Sequence, residues 1–121
     1  MTPLTPLTTI DELDAALAAS STRPIVIFKH SATCGTSALA AEEIDDLLAH
    51  GALPADIYLV RIQGARAVSN EIERRLRVRH ESPQVLLIRD GQVMWSATHY
   101  RVTAAAILAA LESTAAHPTS V

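Results

Sequence analysis

The chain has 121 residues, 49% hydrophobic but only 3% aromatic, and a formal net charge of -3. That size and composition suit one core of small aliphatic layers, and the acidic balance lacks the cationic excess that phosphate neutralisation requires, so nucleic-acid binding is not expected. A single cysteine excludes an internal disulfide, which fits a reducing compartment and makes any sulfur chemistry intermolecular.

Residues 1–8, with Pro3 and Pro6, read as a flexible N-terminal lead-in that has neither the basic start nor the apolar run of a secretion signal. No segment reaches the roughly 20 apolar residues of a membrane span, so a cytoplasmic protein without membrane contacts is expected. Thr9 stands three residues before Glu12, the spacing of a capping box, and Ile10, Leu13 and Leu17 share one face, which predicts a helix over "TIDELDAALAAS". "PIVIFKH" is short, β-branched and continuously apolar, as a strand buried on both faces should be. "CGTSALAAEEIDDLLAHG" follows as a helix with Leu39, Ile44, Leu47 and Leu48 along one side and Gly51 at its end.

"DIYLVRI" predicts a second strand and "ARAVSNEIERRLRV" a helix whose Val68, Ile72 and Leu76 recur every four residues. Asp90-Gly91 separates two apolar runs and predicts a tight antiparallel hairpin. "TAAAILAALEST" closes the chain as a helix with Ile107, Leu108 and Leu111 inward, and 116–121 read as a flexible C-terminal tail. One domain over 9–115 is therefore expected, in the order α, β, α, β, α, β, β, α. Layer rules make this an α/β/α three-layer sandwich around a mixed four-stranded sheet. The order is similar to that of the thioredoxin-like fold, a likeness of topology that does not itself give a function.

In this map Cys34 falls in the first turn of the helix that follows the first buried strand. Unpaired N–H groups and the positive end of the helix dipole stabilise an anion there, and a thiolate is such an anion. Lys29 and His30 just upstream could add positive potential. The competing reading is a small, inert, buried apolar residue, but a strand-to-helix junction at the carboxyl end of a parallel strand is where open α/β sheets carry their sites. Ser37 stands where a dithiol oxidoreductase would carry its second cysteine. It can donate to a thiolate but cannot close a disulfide, so Cys34-Gly35-Thr36-Ser37 should form mixed disulfides that an external thiol resolves. In a thioredoxin-like fold Pro83 would be a cis-proline beside the nucleophile, leaving the backbone of Ser82 free to pair with an extended substrate.

Three blocks, "FKHSATC" with Ser37, "VSNEIERRLRVRHESPQ" and "DGQVMWSATHYRVT", resemble the monothiol bacilliredoxin family in order and spacing, over most of residues 25–103. The chain departs from that family's pattern where a proline commonly follows the cysteine. Gly35 and Thr36 stand here instead, which removes a fixed φ and adds an N–H near the sulfur.

The resemblance implies a thiol-disulfide oxidoreductase that removes bacillithiol from S-bacillithiolated proteins through Cys34, with bacillithiol or another redoxin for recycling. It implies no metal and no bound cofactor, bacillithiol being a co-substrate. Thr33, Gly35, Thr36, Ser37, Lys29 and His30 would stabilise or orient the thiolate, and Ser82 and Pro83 would seat the incoming chain. Arg79 or His80 would hold the malyl carboxylates of bacillithiol; the competing reading of "ERRLRVRH" is a solvated helix end that complements the dipole. Three alternatives stay open. One is a redox sensor or stress-response interaction module, another is the same chemistry with glutathione or mycothiol, and the third is an inert scaffold.

Overall fold

In a computed structural model, which describes residues 2–116, the elements follow the expected order with one addition. They are β1 (Leu4–Pro6), α1 (Ile10–Ala19), β2 (Ile25–His30), α2 (Gly35–Ala49), β3 (Asp56–Arg61), α3 (Arg66–Leu76), β4 (Gln84–Arg89), β5 (Gln92–Thr98), a 3-10 turn (His99–Arg101) and α4 (Ala104–Ala116). The strands form one sheet in the order β1-β3-β2-β4-β5. β1 and β2 both run parallel to β3, β4 runs antiparallel to β2, and β5 antiparallel to β4.

β2 lies at the centre because its apolar run can be covered on both faces. Its first five residues are buried, and its alternation serves both faces. Val26 and Phe28 pack with Ile44 and Leu47 of α2 and Ile107 and Leu111 of α4. Ile25 and Ile27 pack with Leu13 of α1, Val68 and Ile72 of α3 and Leu86 and Ile88 of β4. Truncating Ile44 or Ile72, each 1% exposed, to alanine would cost about 2–5 kcal/mol in lost burial and cavity.

Local chemistry sets the boundaries. The Thr9 hydroxyl accepts the Glu12 N–H at 3.1 Å while the Glu12 carboxylate accepts the Thr9 N–H, so the capping box is complete. The Arg89↔Gln92 pair closes a two-residue turn in which Asp90 and Gly91 both take positive φ, 53° and 72°, as the predicted hairpin requires.

The expected four-stranded sheet has a fifth strand, because part of the segment read as a flexible lead-in pairs with β3. The Leu7 N–H donates to the Leu59 carbonyl at 2.8 Å, Leu7 is 2% exposed, and the Thr2 hydroxyl donates to the Gly51 carbonyl. Prolines bar this segment from the middle of a sheet but not from its edge, where one side needs no donor. Residues 117–121, most of the stretch read as a C-terminal tail, lie outside the described residues.

Candidate active site

β2 delivers the chain to a short turn, Ser31–Thr33, and α2 begins at Gly35. Cys34 is the N-cap of α2, with extended backbone (φ -106°, ψ 120°) and no side-chain cap bond. The sequence reading set it one residue further on, inside the first turn. As N-cap, its side chain takes the position where Ser, Thr or Asp ordinarily accepts the free N–H groups of the first turn. The Ser37 N–H, followed by the Thr36 N–H and the hydroxyls of both, holds the Cys34 thiol below its ordinary pKa against an opposing push from partial burial. Gly35 opens the helix with open space around it.

The opposite wall comes from 48 residues away. The Ser82-Pro83 peptide is cis, and the Cys34 thiol donates to the Ser82 carbonyl with Sγ at 3.6 Å. Ser37 is fully buried between the two walls: its Oγ accepts the Ser31 N–H at 3.2 Å and lies 3.5 Å from Ser82 Oγ. The Pro83 carbonyl accepts the N–H of His99, a residue with φ of 54°, at 3.0 Å. Among the described residues the Ser82 N–H has no backbone partner.

Sequence reasoning missed Gln63. Its Oε1 accepts the Ala32 N–H at 3.1 Å and its Nε2 donates to Ser31 Oγ at 3.0 Å, so it pins the turn that presents Cys34. No local signal marks Gln63; only the parallel pairing of β2 with β3 brings it there. Thr33 also serves the turn, its hydroxyl lying 3.1 Å from Ser31 Oγ, so the hydroxyls near the sulfur are those of Thr36 and Ser37.

The other expected residues separate. His30 and Lys29 are consecutive in a strand and point to opposite faces. His30 stands edge-on to Phe28, with ring centroids 5.8 Å apart, and burial and then Arg61 lower its pKa. Lys29 is fully buried on the α1/α3 face, and it is not among the groups that lower the Cys34 pKa. His80 is tied down, its Nδ1 3.3 Å from Ser69 Oγ and its N–H donating to Glu73 Oε2 at 2.7 Å. The Arg79 side chain is 90% exposed and lies 3.9 Å from Glu81. Arg74 and Arg75 pair with Glu71, and Arg75 also reaches Asp14 of α1. Those two cations therefore join α3 to itself and to α1.

Such a thiol, presented on a helix N-terminus across from a cis-proline, is arranged for exchange with a disulfide. The profile of the monothiol bacilliredoxin BrxC family matches residues 5–107. The chain belongs to that family. Among solved structures, this bacilliredoxin-family chain is similar to a protein described as a candidate oxidoreductase with a thioredoxin fold, with 26% identity, a TM-score of 0.77, and 88% of this chain and 92% of that one covered. Thioredoxin from Trypanosoma brucei brucei (10% identity, TM-score 0.75, 94% and 92% covered) and chloroplastic thioredoxin z (14%, 0.73, 96% and 97%) share the fold. Family and fold together assign a thioredoxin-like protein of thiol redox function, a thiol-disulfide oxidoreductase in general type. Among the described residues no helix is long and apolar enough to cross a membrane.

Proposed function

We propose that this protein reduces S-bacillithiolated proteins in the cytoplasm, through Cys34, as part of thiol homeostasis under oxidative stress. The observation that carries the reading is the pairing of one activated thiol with Ser37 at the position of a resolving cysteine. The Cys34 thiolate attacks the bacillithiol sulfur of the mixed disulfide. The S–S bond to the protein breaks, the protein leaves as a thiolate that takes a proton from water, and Cys34 holds the bacillithiol. A second bacillithiol thiolate then attacks that sulfur, giving oxidised bacillithiol and free Cys34; another redoxin could serve instead. Electrons come from thiols at each step, so no resident metal or organic cofactor enters. An exchange that ends on a mixed disulfide suits a site that cannot close a disulfide of its own.

Ser82, whose N–H has no backbone partner among the described residues, suits an extended substrate segment. Of the two cations expected at the malyl carboxylates, Arg79 has an exposed side chain free to turn, whereas His80 is committed to Ser69 and Glu73. Arg79 is therefore the carboxylate partner in this reading.

Intact-mass spectrometry tests the reaction. Mixing the protein with an S-bacillithiolated carrier protein should move one bacillithiol mass onto Cys34 and release reduced carrier, with no transfer to a Cys34→Ala variant. An unmodified Cys34 beside a carrier that stays blocked would sink the proposal. Transfer of a glutathione or mycothiol adduct alone would keep the chemistry and replace the thiol.

A further inference from the structure

Two buried polar atoms on this chain have no hydrogen-bond partner among the described residues: Lys29 Nζ and Gln84 Oε1. They are related. Lys29 and Gln84 are directly opposite in the β2–β4 pairing, so their side chains leave the sheet on the same face. Both are shut off from water, Lys29 at 0% and Gln84 at 2% exposure. An ammonium has only donors to offer and an amide oxygen only acceptance, so the two complement one another. A fully buried lysine that merely filled space would be replaced at no loss by methionine, since burying an ammonium is costly.

What surrounds the pair is the segment that carries Ser82. Gln84 Nε2 donates to the Arg79 carbonyl at 3.0 Å. Nε2 is thus the half of the amide that holds Arg79, and Oε1 is the half left without a partner among the described residues. From the helix side, Glu73 accepts the His80 N–H, and the Glu73 charge acts on Lys29. We propose that Lys29 is a positioning residue: its buried ammonium orients Gln84 and Glu73, which hold Arg79 and His80 from two sides and so set Ser82 opposite Cys34. This rests on the reading that Ser82 receives the substrate chain, and it assigns Lys29 to substrate alignment instead of to the thiolate.

The ammonium lies within the electrostatic reach of Glu73 of α3 and His80 of the connecting segment and stands across the strand pair from Gln84 of β4, while α1 contributes apolar Leu13 and Leu17 to this face. Burial lowers the Lys29 pKa to about 8, against a smaller opposing pull from Glu73. Burial also lowers that of His80, followed by Lys29 and, more weakly, Arg66, while Glu73 and Glu81 oppose. A depressed lysine pKa means the unfolded chain binds more protons between the two values, so this group's effect on stability becomes more favourable as pH rises through about 8. Below that value, and so at neutral pH, the ammonium carries its charge inside the sheet.

The test compares wild type, Lys29→Met, Glu73→Gln and the double variant on two substrates. One is a bacillithiol mixed disulfide of an extended test peptide; the other is a small aromatic disulfide that engages Cys34 alone. Each single variant should raise KM for the peptide about tenfold, the size of one charge-assisted contact, and leave kcat and the small-disulfide rate unchanged. The double variant should add nothing further. Wild-type KM should climb as pH passes about 8, and that climb should vanish in Lys29→Met. Glu73 is exposed, so Glu73→Gln carries the test if Lys29→Met fails to fold. Unchanged peptide KM in the variants overturns the proposal, as does equal slowing of both substrates with a shifted Cys34 alkylation midpoint, which would make Lys29 act on the sulfur directly. Faster amide exchange at His80 in the variants reports the positioning without any substrate. A wild type that ignores the peptide disulfide yet shows that exchange difference therefore refutes the functional reading and not the anchor.

Discussion

α1 and α2 begin in opposite ways. At α1 the first-turn donors are satisfied within the chain, by Thr9 and Glu12 in a closed capping box. At α2 the N-cap is Cys34, with no cap bond from its side chain, and α2 has no acidic residue in its first turn. The Ser37 N–H donates to the Cys34 carbonyl at 3.0 Å, and because a thiol is a poor acceptor and a thiolate a good one, ionisation of the sulfur gives the first turn a further, stronger acceptor. One terminus closes its first turn with a carboxylate and a hydroxyl of its own; the other turns its N–H groups toward a sulfur whose charge comes and goes.

The comparison is broken most sharply by Cys34→Ser. It should abolish disulfide exchange, a loss of at least about a thousandfold because no other thiol exists to form the adduct, while thermal melting shows α2 and the whole fold gaining about 1 kcal/mol from a proper N-cap. A lower melting temperature would show that the sulfur already serves as the cap. Ser37→Ala comes next. It removes a hydroxyl that lowers the Cys34 pKa and strands the Ser31 N–H. Alkylation of Cys34 should then need a higher pH, and stability should fall by about 1–2 kcal/mol for the unpaired group. Ser37→Cys would turn the retained adduct into an internal disulfide, visible as a two-dalton loss instead of a bacillithiol mass, since residues at i and i+3 are neighbours on the first turn.

At α1, Thr9→Ala should cost about 1 kcal/mol of stability and leave the alkylation profile of Cys34 untouched. The smallest effects are in pH. Folding lowers the Cys34 pKa, so that group's stabilising contribution is full above the ordinary cysteine value and is lost as pH falls through the folded one. Glu12 is likewise lowered, chiefly by the Thr8 N–H, so the capping box contributes fully above the ordinary carboxylate range and fades only well into acid. Urea melts of wild type and Glu12→Gln between pH 3 and 9 separate the two windows, because Glu12→Gln should flatten only the acidic one.

What the amino-acid sequence determined by itself lies in local periods and dihedral preferences. The capping box, the Asp90-Gly91 turn, the apolar run of β2 and the four-residue spacing in α3 each depend on neighbours within a few positions, so each was legible. Cys34 at a helix start was legible for the same reason, to within one residue. The tertiary structure decided the rest. β1 exists because β3 offers it an edge, which nothing in a three-residue stretch that follows one proline and ends on another could announce. Lys29 and His30 read as a pair beside the sulfur, but the pleat of β2 sends them to opposite faces, and the packing of α3 then closes water away from the lysine. Gln63 reaches the turn at Ser31, and Ser82 reaches Cys34, only through strand pairing across about 30 and 48 residues of chain. Contacts of that span carry no local signature, because their geometry is set by the sheet and not by the residues that make them.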